Sequence, residues 1–351
     1  MNYMNSGEYN DPNQTRTPYY QLGGSIYVSQ YVAASYYPTQ ITAFNFPTQF
    51  PMSITTNHRS NQPVPSVDTS AYTSFNRLIL SHKELVSNGF VHIDSQTGRT
   101  FVQPIRESWS KWCNSEEKSR ACVRCYTPFS VDNPDGECRY HVHKRRFCCG
   151  KARPCASGTS HVHNTTQMNE LLNFIKTPRV VGQWDSRNFT MYSMDTEMIY
   201  TVNGLEVARV TLVNSNGLIV EDIFVKPKGR ILDLNTRFSG IRESHLMNAI
   251  SLGETHQRLF NHINENTILT GHHLSNDLRV LKIIHTKVVD TAVLFKRNDG
   301  TYRSLKDLAH KYLKKIIHEE NEGHDSAQDA RICIELVSRW LPQLVANRRA
   351  N

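Results

Sequence analysis

The sequence predicts an α/β fold: a mixed five-stranded sheet with helices on both faces, preceded by a small cysteine- and histidine-rich module and a polar tail. Three observations predict it. After Asn188, three strand-like runs of alternating apolar residues follow one another, separated by Asn203-Gly204 and Asn216-Gly217. Asn-Gly between such runs is the strongest short hairpin signal. The pattern then changes to alternating helix and strand. Upstream, the composition shifts twice, from a stretch poor in charge to an apolar-periodic one and then to a cluster of Cys and His.

Taken in order, residues 1–66 read as a disordered low-complexity tail. They are rich in Tyr, Gln, Asn, Ser, Thr and Pro, so they offer aromatic stickers without a periodicity from which to build a core. Protein contacts through this tail are the partner it suggests. Residues 67–112 form a helical lead-in, in which SAYTSFNRLILSHKELVSNG reads as a helix ending at Asn88-Gly89 and DSQTGR as a turn. Residues 113–165 are the Cys/His module, and a short helix, MNELLNFIK, leads through Pro178 to the last unit, residues 188–347. There FTMYSMDTEMIYTV, LEVARVTLVN and LIVEDIFVKP are strands, ETHQRLFNHI a helix, TILTG a strand, Ser275 to His285 a helix and VVDTAVLF a strand. SLKDLAHKYLKKI and the run from Ser326 to about Asn347 are the closing helices. Three antiparallel strands followed by alternating helix and strand give a mixed sheet covered on both faces. That order fits a ribonuclease H-like sheet.

The 351 residues suffice for one large domain or two small ones plus a tail. Lys and Arg outnumber Asp and Glu by 40 to 32, a formal charge of +8, which favours polyanionic partners. The N-terminus has no positive n-region followed by an apolar core, and no run of 18 apolar residues exists. A secretory signal and a membrane span are therefore not expected.

Four acids and a histidine carry the chemistry: Asp195 and Glu197 in YSMDTEM, Asp277 in GHHLSNDLRVLK, and His324 and Asp329 in EGHDSAQDA. Strand side chains alternate, so Asp195 and Glu197 point to the same side, about 7 Å apart along the strand. The residues around them are apolar on both faces, which predicts a covered strand in which two carboxylates resist burial unless a cation neutralises them. Asp277 opens an apolar-periodic run, where an acid also complements the helix dipole. Ser326-x-x-Asp329 matches a capping box, yet Asp329 is in register with Cys333, Leu336, Val337 and Trp340, the buried stripe of its helix. His324 sits just before that helix, with a pKa suited to taking a proton from water near neutral pH. His272 and His273 read as structural.

Seven of the eight cysteines lie between Cys113 and Cys155. Such clustering beside histidines suggests metal binding in a reducing compartment. Cys122-x-x-Cys125 followed by Cys138-x-x-His141 has tetrahedral zinc spacing, and a closed four-ligand site is structural. Cys148, Cys149, Cys155, His161 and His163 leave room for a second zinc with the pairing open. Cys113 and Cys333 read as ordinary thiols. Lys144, Arg145, Arg146, Lys151 and Arg153, interleaved with Tyr126, Phe129, Tyr140 and Phe147, suit RNA guidance. HKRRF has the composition of a short nuclear import signal.

YSMDTEMIYTVNGLEVARVTLVN, NTRFSGI, GHHLSNDLRVLKIIHTKVVDTAVLF and SLKDLAHKYL…GHDSAQDARICIEL together resemble the RNA exonuclease 1 (Rex-type) branch of the DEDDh 3′–5′ exonucleases. The resemblance runs from about Asn188 to Trp340 and extends upstream to SHKELVSNGF and the cysteine module. It implies a metal-dependent 3′–5′ exoribonuclease acting on single-stranded RNA 3′ ends and releasing 5′-mononucleotides. In that reading, two Mg²⁺ or Mn²⁺ ions activate the attacking water and stabilise the departing 3′-oxygen. Asp195 bridges both ions, Glu197 and Asp329 help hold the nucleophile-side ion, Asp277 holds the leaving-group-side ion, and His324 is the general base. Met198 and Arg237 are implied nucleotide- and phosphate-side contacts. Thr196 stands where many members have cysteine, and Ile317-His318 where Ile-Gln is usual; neither change removes a ligand. The resemblance also implies a nuclear or nucleolar location, and leaves ribosomal, transfer and small nuclear RNA precursors open as substrates. The competing readings are a zinc-containing RNA-binding protein with an inactive nuclease-like fold, and a DNA 3′–5′ exonuclease.

Overall fold

The computed structural model describes residues 26–27, 69–94, 96–102, 118–142, 149–150, 152–164, 173–318 and 323–350. Up to the main sheet, the elements are β1 (Ile26–Tyr27), α1 (Thr69–Asn76), α2 (His82–Ser87), β2 (His92–Ile93), β3 (Thr100–Val102), β4 (Ser119–Ala121), β5 (Pro128–Ser130), β6 (Asp135–Tyr140), β7 (Ala156–Ser160) and β8 (Ile175–Lys176). The main sheet and its helices follow: β9 (Met191–Thr201), β10 (Gly204–Asn214), β11 (Ile219–Phe224), β12 (Ile231–Asp233), α3 (Thr236–Ser239), α4 (Glu243–Leu246), α5 (Leu252–Phe260), β13 (Ile268–Gly271), α6 (Leu274–Val280), β14 (Ile283–Ile284), β15 (Val288–Asp290), α7 (Thr291–Leu294), α8 (Leu305–Leu308) and α9 (Ser326–Ala350).

The mixed sheet runs β11-β10-β9-β13-β15, with β9 antiparallel to β10 and parallel to β13. Alternation sorts its side chains onto two cores. Met194, Val210, Leu212, Leu269 and Val288 pack with α5 and α6 residues such as Leu259, Leu274 and Leu278. Ile268 and Val289, their neighbours in sequence, face the other way onto Cys333, Leu336 and Val337 of α9. The buried stripe read for α9 is thus observed, and it lays the start of that helix over β9.

The sheet has six strands where the sequence predicts five. Along the 11-residue β9, β13 pairs only with its start, at Met191, Tyr192 and Ser193. The exposed backbone edge further along attracts another strand, and β12 pairs there with Tyr200 and Thr201. Between the two partners, β9 has a gap on that side, and the gap frames the acids described below.

Further expectations change, among them the helix read from Ser275 to His285, which ends at Val280 and is followed by the strand Ile283–Ile284. The lead-in helix is two helices, because Ser81 caps α2 with Glu84 in a reciprocal box while the Leu80 N–H bonds the Val288 carbonyl. VVDTAVLF stops being a strand at Asp290, whose side chain accepts from the Ala292 N–H and starts α7. Of MNELLNFIK, Ile175–Lys176 pair in parallel with Ile283–Ile284, and residues 168–172 lie outside the described part. In the tail, Ile26–Tyr27 pair antiparallel with Val102 and Phe101, so this piece is ordered by a backbone ladder. The rest of the tail, Cys113 and Cys148 lie outside the described residues.

Candidate active site and metal centre

Asp195 and Glu197 sit in the gap of β9, cross-strand from Thr211 and Arg209 of β10. Asp277 reaches the same gap from α6. Its Oδ1 accepts from the Thr196 N–H at 2.9 Å and the Thr196 hydroxyl at 2.6 Å. The carboxylate therefore satisfies the backbone donor that a neighbouring strand would otherwise take. Asp329 arrives from α9. The capping-box reading of Ser326 does not hold: the Ser326 hydroxyl lies 2.6 Å from the Thr211 hydroxyl, and Asp325 supplies the cap by accepting from the Ala327 N–H. Ser326 thus pins α9 to the residue opposite Asp195, and Asp329, one turn on, is free of any capping duty.

Glu197, Asp277 and Asp329 are each at most 5% exposed, and Asp195 is half-buried. Among the described residues, none of Asp195, Glu197 and Asp277 forms an ion pair with Lys or Arg. Burial, then the charges of Asp277, Asp329 and Glu197, hold the Asp195 carboxyl well above the usual carboxylate range. Burial and Asp329 push Glu197 up to about 9 although Arg209 opposes them. Burial pushes Asp277 up to about 7 against the Thr196 hydrogen bonds. The Glu197 Oε1 is buried and has no hydrogen-bond partner. An orphaned carboxylate oxygen among three other acids is costly. Hard divalent cations bound by oxygen remove both the repulsion and the orphan.

His324 is half-buried, and burial together with the His318 ring lowers its pKa, leaving a neutral imidazole near pH 7. Its ring stacks on His318 at 3.8 Å and 6°, and the His318 Nε2 lies 2.8 Å from both oxygens of Asp329. The sequence marks His318 as a departure from its relatives but does not reveal this contact. His324 is held from the other side by the NTRFSGI segment: its N–H donates to the Phe238 carbonyl at 2.7 Å. Arg237, exposed, precedes Phe238 on that turn, and Met198, half-buried, pairs with Val207 on β9.

The residue before His324 makes this docking possible. Gly323 has φ +75°, and a Cβ there would meet the Gly240 backbone at 2.6 and 2.7 Å. Both the left-handed conformation and the contact require glycine. Gly323→Ala is expected to displace His324 and lower kcat about 100-fold, since a shift near 1 Å costs that much. Circular dichroism should stay near wild type. Unchanged kcat would show that the Gly323–Gly240 contact does not position the ring.

Of the two histidines ahead of α6, the His272 ring makes a hydrogen bond, and His273 contributes its backbone N–H. The His272 Nδ1 lies 2.9 Å from the Thr291 hydroxyl, and Asp290 accepts from the His273 and Leu274 N–H groups. Asp290 thereby ties the starts of α6 and α7 together, a role the sequence pattern does not disclose.

In the cysteine module, the sulfurs of Cys122, Cys125 and Cys138 and a ring nitrogen of His161 lie within 4.8 Å of one another. His161 therefore replaces His141 in the predicted set. Cys138 lies on a strand, so three residues further on is about 10 Å away and on the opposite face. His161 instead follows β7, which pairs antiparallel with β6. Burial raises the Cys122 thiol, but N–H groups of Cys125, Val162 and Arg124 outweigh it and bring the thiol down to about 6. That favours a thiolate, the form that binds metal. Burial, Cys125 and Cys122 push Cys138 up, the signature of thiols crowded without a cation between them. The module packs on the β12 edge: Arg124 pairs with Asp233 at 2.6 Å and lies 4.9 Å over the rings of Tyr140 and Tyr200.

A family model described as exonuclease matches residues 193–337, which span the acids and His324. Human RNA exonuclease 1 homolog is 34% identical over 295 residues, 76% of this chain and 23% of that protein. RNA exonuclease 3 of Eremothecium gossypii is 32% identical over 312 residues, covering 81% of this chain and 76% of that one. The chain belongs to the RNA exonuclease family. The resemblance read from the sequence is thereby borne out. The chain spans less than a quarter of the human relative's length. Among solved structures, the Neurospora crassa Pan2 catalytic unit (protease and nuclease domain) is similar with a TM-score of 0.42 and 26% identity, over 50% of this chain and 31% of that one.

Proposed function

We propose that this protein is a metal-dependent 3′–5′ exoribonuclease that trims single-stranded RNA 3′ ends and releases 5′-mononucleotides. The observation that carries the reading is the buried, partnerless Glu197 Oε1 within a cluster of four acids, beside a neutral histidine. Asp195, Glu197, Asp277 and Asp329 would hold two Mg²⁺ or Mn²⁺ ions. Bound there, the ions would supply an acidified water and charge stabilisation at the leaving 3′-oxygen. His324, held by Phe238 and stacked on His318, accepts the proton of the attacking water. Met198 and the exposed Arg237 lie on segments flanking the site and would contact nucleotide and phosphate. A nuclear or nucleolar setting, with ribosomal, transfer and small nuclear RNA precursors as candidate substrates, accords with this function.

Incubating the protein with 5′-labelled RNA and Mg²⁺ should give a ladder descending from the 3′ end. No ladder with Mg²⁺ or Mn²⁺ leaves an inactive RNA-binding protein. Preferential degradation of a matched DNA strand in competition makes it a DNA exonuclease.

Cys122, Cys125, Cys138 and His161 would bind one structural Zn²⁺. Cys138→Ser should release one equivalent of zinc by elemental analysis and lower the melting temperature by several degrees, because metal binding here contributes to folding. Zinc content equal to wild type would rule this ligand set out.

A further inference from the structure

The exchange of histidines leaves a second cluster. His141, Cys149 and Cys155 bring one ring nitrogen and two sulfurs within 4.8 Å of one another, with the His141 Nδ1 3.8 Å from the Cys149 Sγ. Tetrahedral zinc with Zn–S about 2.3 Å and Zn–N about 2.1 Å places such atoms about 3.6 Å apart. The backbone register accounts for the meeting. Tyr140 and Ala156 are the last paired residues of the β6–β7 ladder, so His141 and Cys155 leave it side by side, and Cys149 returns to them from the connecting segment.

We propose that His141, Cys149 and Cys155 form a second, more exposed zinc site that closes the base of this connection. The ligands are nested within those of the first site along the chain: His141, Cys149 and Cys155 all fall between Cys138 and His161. The segment from His141 to Cys155 contains Lys144, Arg145, Arg146, Lys151 and Arg153 and no acid. Closing such a loop opposes like-charge repulsion and loses chain entropy. A cation held by two thiolates offsets that cost without adding net charge. Both cysteines are exposed, unlike Cys122 and Cys138 of the first site, which are buried. Such a tie would hold a cationic loop in one place, which suits phosphate-backbone contact.

The test uses the full chain, purified under reductant, with zinc and Co²⁺ as probes. Cys149→Ser combined with Cys155→Ser should lose one equivalent of zinc, and Cys138→Ser should lose a different one, so the two sites fail separately. His141→Cys guards against misfolding. It should keep the wild-type zinc content while Co²⁺ thiolate charge-transfer absorption rises by one thiolate's share, from five to six. Zinc content unchanged in the double variant, charge-transfer intensity unchanged in His141→Cys, or a Cys149–Cys155 disulfide persisting under reductant would each overturn the site. The nuclease reading is unaffected by any of these results.

Discussion

Asp195→Asn is expected to abolish exonuclease activity while raising the melting temperature of the metal-free protein. The two effects have one cause. Asp195 sits against three other acids, and burial with their charges holds it far above its ordinary pKa. In the absence of a cation the fold must keep it protonated or bear the repulsion. Asparagine has the shape of the protonated acid and carries no charge. The substitution therefore removes a liability of roughly 1–2 kcal/mol, which raises the melting temperature by about 2–6 °C. The same change removes the residue proposed to touch both ions. Charge stabilisation by bound metal is worth several kcal/mol, so the loss in kcat/KM should be about a thousandfold or more. A third readout connects them. Saturating Mg²⁺ stabilises a protein by about 3 kcal/mol at a hundred times Kd, and that increment should vanish in the variant. Laddering at the wild-type rate would sink the assignment of Asp195. A fall in metal-free stability would show instead that the carboxylate is already satisfied by the fold.

Much of this site is legible in the sequence because it depends on periodicity. The same-side placement of Asp195 and Glu197 follows from strand alternation, and the position of Asp329 follows from the helical stripe through Cys333, Leu336 and Val337, all three buried as expected. What is not legible depends on contacts between distant segments. Whether Ser326 caps its own helix or bonds Thr211 is decided by a partner 115 positions away in the chain. The gap in β9 arises because β13 ends early and β12 begins late, and strand lengths are poorly marked by composition. The His318 contact with Asp329 has no local signal beyond an unusual residue. His141 is the instructive error. C-x-x-H has the spacing of a metal knuckle, but the pattern assumes a turn. DGECRY is a strand paired with ASGTS, and an extended chain carries His141 away from Cys138 and beside Cys155.

Relative to Glu197→Gln, the stability of the wild-type protein without Mg²⁺ should fall as pH rises from 7 to 9, and added Mg²⁺ should remove the difference. Glu197 is pushed from 4.5 up to about 9 and Asp277 from 3.8 up to about 7 in the folded state. Between the unfolded and folded values, the native protein holds protons that the unfolded chain has released. Raising the pH then favours unfolding, so the stabilising contribution of each group is complete below its unfolded pKa and is lost as pH rises through its folded one. Below pH 6.5 an opposing pair acts. Burial brings His285 down to about 4 and His272 down to about 3, so the unfolded state binds more protons there and stability rises with pH. The two trends offset each other up to near neutrality; above pH 7 Glu197 is opposed by Cys122, whose thiol is brought from 9.0 down to about 6, so comparison with Glu197→Gln isolates the Glu197 contribution. One proton of difference is worth about 1.4 kcal/mol per pH unit, so the difference between the two proteins should reach several degrees across the window. Bound Mg²⁺ requires ionised carboxylates, so proton release has then already occurred in the native state and the Glu197 contribution flattens. Melting curves from pH 6.5 to 9, with and without added Mg²⁺ and without chelator so that zinc is retained, measure both slopes. Glu197→Gln should reproduce the Mg²⁺-bound slope with no Mg²⁺ at all. A wild-type profile without Mg²⁺ that runs parallel to that of Glu197→Gln would mean that Glu197 is not the group holding the proton.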